Sequence, residues 1–311
     1  MPVFDKAGCG WFPAVRNGLL LLALICTLGA CGGSKVEVSL DPERFILTAR
    51  IPDDLKLELA AKEPNVISPV SMTFDADGRL YVVEMIDYPT GVGDGASPAG
   101  RVRLLEDNNL DGFYEKATVF AESLRYPTSV LAWRDGVLVT RPPDILYLKD
   151  TNGDGKADVE QVLFTGFVAG NTQRNVNSLI WGLDNWIYGA NGGNDGTVRS
   201  TKGSGGTVSL ERTDFRFRPE SGDIQPSYES AGGFGIAMDS WGRMFGCHGV
   251  VHIQHMLVRT EYTAGKLNSS FPYTRDHISD HEDAARLYPI SVPETRFNNP
   301  DRAGRFSGAS G

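Results

Sequence analysis

The sequence predicts an all-β chain: a β-propeller of four-stranded blades, about four to five of them present, forming part of a larger ring. Three observations carry this expectation. A short unit, SMTFDADGRLYVVEM at Ser71–Met85, recurs as SVLAWRDGVLVT (Ser129–Thr140), SLIWGLDNWIYG (Ser178–Gly189) and GIAMDSWGRMFG (Gly235–Gly246), at intervals of roughly 50 to 60 residues. Each copy sets an Asp with Gly or Asn at a turn, between runs that alternate or are wholly apolar, which is the pattern of a hairpin. Further strand pairs between the copies bring the unit to about four strands. A lone hairpin cannot bury its apolar faces. Repeated about an axis, such faces stack and leave no long edge open.

The elements follow in order. Lys6 and Arg16 precede an apolar run from Gly18 to Ala30, too short for a comfortable membrane span, which reads as a secretory signal over 1–30. Its end, Leu28-Gly29-Ala30-Cys31, resembles a bacterial lipoprotein box. That resemblance implies cleavage before Cys31, lipid on Cys31, and an exported protein anchored to membrane in the periplasm or at the cell surface. With Cys31 lipidated, Cys247 has no cysteine left to pair with in the mature chain. Residues 31–48 read as a tether, and 49–311 as the propeller domain. An apolar strand is expected at Leu55–Ala60, among Pro52, Pro64 and Pro69. Asp87–Gly100 is rich in Gly and Pro and reads as a long rim loop.

Arg101–Leu124 and Arg141–Phe167 are variants of one pattern. A strand (Val102–Leu105 or Ile145–Leu148) enters an acidic turn, and another returns (Ala117–Phe120 or Glu160–Phe164). After the third hairpin, NGGNDGTVRSTKGSGGTVSL reads as a glycine-rich rim loop, followed by a short strand at Phe215–Phe217. His248–Thr263 reads as a loop with a short helix. The ending NNPDRAGRFSGASG has no strand character, so the chain is expected to be a piece of a larger protein.

Formal net charge is −9 over 311 residues, which argues against a nucleic-acid partner. There is no G-x-S-x-G, P-loop, Rossmann fingerprint, H-E-x-x-H or C-x-x-C-H.

Two acidic loops carry the spacing of metal ligands. Asp107, Asn109 and Asp111 with Gly112 match D-x-N-x-D-G; Asp150, Asn152 and Asp154 with Gly155 match it again, with Asp158 at the ninth position. Alternate oxygens with Gly at the sixth position let a chain wrap one hard cation, so structural calcium is expected. The twelfth positions hold Thr118 and Gln161 rather than Glu, so neither loop is a complete EF-hand. The alternative is an Asx-rich turn capped by its own side chains.

Loops between blades converge near a central pocket. Arg141, Asp144, Arg174, Asn175, Asn177, Asn191, Asn194 and His248 are candidates there. Arg141 and Arg174 suit a carboxylate or quinone oxygen, held bidentately, and Asn177 and Asn191 complete a cofactor-binding set. All five histidines, His248, His252, His255, His277 and His281, follow residue 247. If Val250–Met256 were helical, His248 and His252 would share a face and suit a transition metal.

SPVSMTFDADGRLYVVEM, RPPDILYLKDTNGDGKAD, NSLIWGLDNWIYGANG, DSWGRMFG and HIQHMLV…HEDAARLYPIS resemble the membrane-bound dehydrogenases abundant in planctomycetes and their relatives. The resemblance spans about Leu47–Gly311. It implies a propeller similar to soluble quinoprotein glucose dehydrogenases, with pyrroloquinoline quinone as cofactor and calcium polarising it. It also implies a cytochrome c partner or a haem domain that this chain lacks. The expected activity is quinone-dependent oxidation of a small carbohydrate or alcohol, with His248 as the base. Two alternatives stand beside it: a non-catalytic surface propeller that binds glycan or protein, and a calcium-dependent hydrolase of the lactonase type.

Overall fold

A computed structural model describes residues 41–89, 91, 96–202, 206–248, 251–263 (of 252 the backbone alone), 273–278, and the backbone of 286–287 and 306–307. All lie in the second of two compact units, Ser39–Gly311. The signal segment and Cys31 fall outside the described residues, as does His281.

A short helix, α1 (Pro42–Thr48), capped by the Asp41 side chain, occupies part of the stretch expected to be a tether. Leu55–Ala60 is irregular rather than a strand. Its neighbours Ala61 and Val66 instead pack on Leu80, Val82 and Leu105, covering part of one face of the first sheet.

The first hairpin joins β1 (Pro69–Phe74) to β2 (Leu80–Glu84). Asp75 closes its turn: its carboxylate accepts the backbone N–H groups of Asp77 and Arg79 at 3.0 and 2.9 Å, and Arg79 Nε at 2.7 Å. Gly78 supplies the positive φ of +78° that this turn requires. β3 (Gly100–Glu106) and β4 (Lys116–Leu124) complete an antiparallel sheet in the order β1-β2-β3-β4. β5 (Ser129–Trp133), β6 (Gly136–Arg141), β7 (Asp144–Lys149) and β8 (Val159–Phe167) form the second sheet in the same manner.

β9 (Asn177–Trp181) and β10 (Ile187–Ala190) open the third sheet. The chain then returns to the second. β11 (Gly196–Ser200) pairs with β8 and β12 (Thr207–Ser209) with β11, making six strands in the order β12-β11-β8-β7-β6-β5. The glycine-rich stretch expected to be a rim loop is thus a hairpin that ties the second sheet to the third. β13 (Thr213–Arg218) and β14 (Asp223–Glu229) complete the third sheet, β14-β13-β10-β9. β15 (Gly235–Met238), β16 (Met244–His248), β17 (Val251–Met256) and β18 (Arg275–His277) form the fourth, with a short helix α2 (Thr260–Thr263) between the last two strands. β19 (Arg286–Leu287) pairs with β20 (Phe306–Ser307) as a separate ribbon.

Sheets meet at their first strands, β1 beside β5, β5 beside β9, and β9 beside β15. Between the first two sheets lie Tyr81, Val83, Val102 and Phe120 with Val130, Val139 and Leu146. Between the second and third, Phe164 and Phe167 meet Phe217 and Phe215 at ring centroid separations of 5.1 and 4.8 Å. Tyr188, Ala190, Ile236 and Met256 fill the third interface. Burying such side chains contributes roughly 1.5–3 kcal/mol each.

The expected propeller is corrected here. The protein is all-β, but its four antiparallel sheets of four to six strands are separate, and none closes into a ring. β1 carries Ser71 and Thr73 toward the second sheet, while Met72, 66 % exposed, alternates with them on the other side along with Val70 and Phe74. A ring would cover those three side chains.

Candidate functional site

Where the third and fourth sheets meet, a polar cavity of about 730 Å³ opens beside the end of β16. Arg174, Arg212 and Arg275 line it, against Glu211 and Glu229, with His248 and Gln254. Arg174 closes the 3₁₀ turn Thr172–Arg174, which the Asn171 side chain caps through Gln173 N–H at 3.0 Å.

His248 reaches the cavity because two glycines let the loop before β15 pass close to it. A Cβ on Gly233 would stand 1.8 Å from the Cys247 carbonyl oxygen, and one on Gly232 would stand 3.2 Å from His248 Cδ2. Burial, then the charges of Arg174 and Arg275, hold the His248 pKa below its ordinary 6.5. The imidazole is therefore mainly neutral at pH 7.

Behind the cavity lies Asp214, 3 % exposed, on β13. Burial pushes its carboxyl up to about 6, opposed by hydrogen bonds from Asn191 N–H, the Ser230 hydroxyl and Ala231 N–H, and by the charge of Arg275. Ser230 Oγ itself accepts the N–H groups of Gly193 and Gly232 at 3.0 and 3.1 Å. One carboxylate and one hydroxyl thus fix the loops after β10 and β14 on either side of the cavity. Arg275 donates to the Ser230 carbonyl and lies 3.6 Å from Glu229, whose other oxygen accepts from Thr274 Oγ1. Its guanidinium is oriented before any ligand arrives.

Of the residues singled out from sequence, Arg174, His248 and His277 meet at this cavity. Arg141 ends β6 and is held by Asp144 at 2.8 Å and Glu160 at 3.3 Å. Asn177 donates to the Asn175 and Gly233 carbonyls, and Asn191 to that of Asn194; these bonds set loop shape. His255 stacks on Phe245 at 5.0 Å. β17 is a strand, so the shared helical face expected for His248 and His252 does not form. Arg212, Asp214, Gln254 and Arg275 were not singled out: their place at the cavity depends on which strands pair, and no local motif marks it.

The calcium expectation is corrected. Asp107 accepts the N–H groups of Leu110, Asp111 and Gly112 at 2.7, 3.3 and 2.8 Å, while Asn109 and Asp111 accept those of Asp111 and Phe113. Asp150 accepts those of Asn152, Gly153 and Gly155, and Asn152 and Asp154 repeat the pattern toward Asp154 and Lys156. Asp158 is bound by Thr151 N–H at 3.1 Å and by its hydroxyl at 2.6 Å. Both loops are Asx turns whose oxygens face their own backbone. Among the described residues, no group of three or more His, Cys, Asp or Glu is placed to hold a metal ion.

A family model matches residues 41–311, and its description is a domain of unknown function, DUF7133. The chain belongs to the DUF7133 family. No curated protein matches it. Among solved structures, the chain is similar to a catalytically inactive virginiamycin B lyase from Staphylococcus aureus at 11% identity and TM-score 0.36, covering 62% of this chain and 54% of that one. An AA12 carbohydrate-active enzyme from Trichoderma reesei matches at 13% identity and TM-score 0.36, over 62% of this chain and 47% of that one. A nidogen/laminin complex matches at 11% identity and TM-score 0.32, over 60% and 75%. The chain thus spans about half the length of the two enzymes. Matches this distant and diverse assign no activity.

These findings correct the resemblance to planctomycete dehydrogenases. With no ring among them, the described residues form no central quinone pocket of the quinoprotein kind. Pyrroloquinoline quinone with calcium, and oxidation toward a haem, lose their footing together. The surface-propeller and lactonase alternatives fall with the same geometry. Among the described residues, no helix is long and apolar enough to cross a membrane.

Proposed function

We propose that the cavity between the third and fourth sheets binds a small molecule bearing an oxyanion, a carboxylate or a phosphate. One observation carries this reading: a neutral imidazole, His248, lies near two guanidiniums, Arg174 and Arg275, in a chain of formal net charge −9. Arginine forks match oxyanions bidentately and stay charged at every working pH. Arg275 is already fixed by Ser230 and Glu229, so little ordering is lost when a ligand binds. His248 adds an imidazole whose pKa burial and the two arginines hold below the ordinary 6.5.

Calorimetric titration of the full chain with glucuronate, glucose 6-phosphate and glucose tests the reading. Binding of either anion but not of glucose, weakened at least about tenfold in Arg174→Gln, supports it. No binding of either anion, or equal binding of all three, rejects it. We further propose, from the Leu28–Cys31 box, that the chain is exported and lipid-anchored at Cys31. Labelled fatty acid should enter the wild-type chain and not Cys31→Ser; equal labelling rejects the anchor.

A further inference from the structure

Gln254 is a glutamine in an unusual place. It sits on β17, in register with Gly246 on one side and His277 on the other. Two residues on, Met256 lies on the same face of the strand and joins the core against the third sheet. Gln254 follows that direction and lines the cavity. The residue is 3 % exposed, and its Oε1 has no hydrogen-bond partner among the described residues. A buried acceptor left unpaired costs about 1–3 kcal/mol, so a group that pairs it should bind with a corresponding advantage.

We propose that the ligand of this cavity is a hydroxy carboxylate, whose acid group meets the arginines and whose hydroxyl donates to Gln254 Oε1. This deepens the oxyanion reading and rests on it. Two features argue for a hydroxyl as the donor. An ammonium group would enter a cavity whose lining already holds three arginines against two glutamates. A hydroxyl is neutral, and it suits a wall whose imidazole, His248, is kept below its ordinary pKa of 6.5 by burial and then by the charges of Arg174 and Arg275. Acid and hydroxyl on one small molecule would then satisfy the cationic wall and the orphaned acceptor together.

The test compares three probes by calorimetry at pH 7 on the full chain: gluconate, hexanoate and sorbitol. They carry acid with hydroxyls, acid alone and hydroxyls alone. Gluconate should bind at least about tenfold tighter than hexanoate, and sorbitol should not bind measurably. In Gln254→Met the advantage of gluconate over hexanoate should shrink to within about twofold. This wild-type comparison stands even if the variant fails to fold. Equal affinity for gluconate and hexanoate in the wild type, both lost in Arg174→Gln, would overturn the inference and leave the oxyanion reading intact. So would an undiminished gluconate advantage in a folded Gln254→Met. If neither acid binds, the oxyanion reading fails and takes the inference with it.

Discussion

Ser129 Oγ accepts a hydrogen bond from the backbone N–H of Leu179 at 3.0 Å, joining the first strand of the second sheet to that of the third. The same bond recurs on either side. Ser71 Oγ accepts Val130 N–H at 3.3 Å, and Ser178 Oγ accepts Ile236 N–H at 3.0 Å. The serines begin the first three hairpins; the fourth begins with Gly235, and the series stops there. Ser129 is buried, so Ser129→Ala strands an amide away from water. A loss of about 1–3 kcal/mol is expected, read as a lower urea midpoint at unchanged slope. Ser71→Ala, at the half-buried end of a longer bond, should cost less.

The hairpins were legible because Asp, Gly and alternating apolar residues determine a turn locally. Closure was not legible. Repetition says that each sheet needs a neighbour, and an open row meets that need everywhere except at its ends. The β11–β12 stretch reads as a loop in sequence because its strands are short and glycine-rich, and pairing with β8 makes them strands. Arg174 and His248 stood out as polar residues beside apolar strands. Gln254 and Arg275 did not, because the pairing of β17 with β18 brings them to the cavity. The acidic loops misled because D-x-N-x-D-G serves an Asx turn as well as a cation.

Glu84 is fully buried and accepts Ile67 N–H at 2.6 Å. It pairs with Arg101 and lies 3.6 Å from Arg103. Glu84→Ala leaves two guanidiniums without their carboxylate, and a loss of about 3–5 kcal/mol is expected. Thermal unfolding checks this, with Lys56→Ala, at an exposed ion pair, as a near-neutral control.

Gly192 has φ +64°, and a Cβ there would stand 2.0 Å from the Arg174 carbonyl oxygen. Gly192→Ala meets both a strained conformation and a backbone clash. It should displace Arg174 and weaken anion binding by about tenfold or more, whereas Gly206→Ala, with open space around it, should leave binding unchanged.

The imidazole of His248 should titrate below 6.5, followed by its proton resonances, and Arg174→Gln should raise the midpoint by removing a nearby positive charge. The unfolded chain binds the proton more readily, so this group makes stability rise with pH through the window just below 6.5. A midpoint at or above 6.5 would mean that neither burial nor the arginines act on it.

Asp214 gives the opposite slope. Its folded pKa, about 6, stands above the ordinary 3.8 because burial disfavours the charged form more than its donors favour it. Between those values the folded state holds the proton and the unfolded state has released it. Stability from this group is therefore present in full below pH 3.8 and is lost as pH rises through about 6. The difference corresponds to roughly 3 kcal/mol. Asp214→Asn cannot ionise, so the wild type should lose stability relative to the variant as pH rises from 4 to 7, whatever fixed penalty the variant carries for losing an acceptor. Urea unfolding of both proteins at several pH values measures that difference. A gap independent of pH would show that the donors from Asn191, Ser230 and Ala231 hold the carboxyl at its ordinary acidity. In that case the burial of Asp214 would put no strain on the loops that shape the cavity.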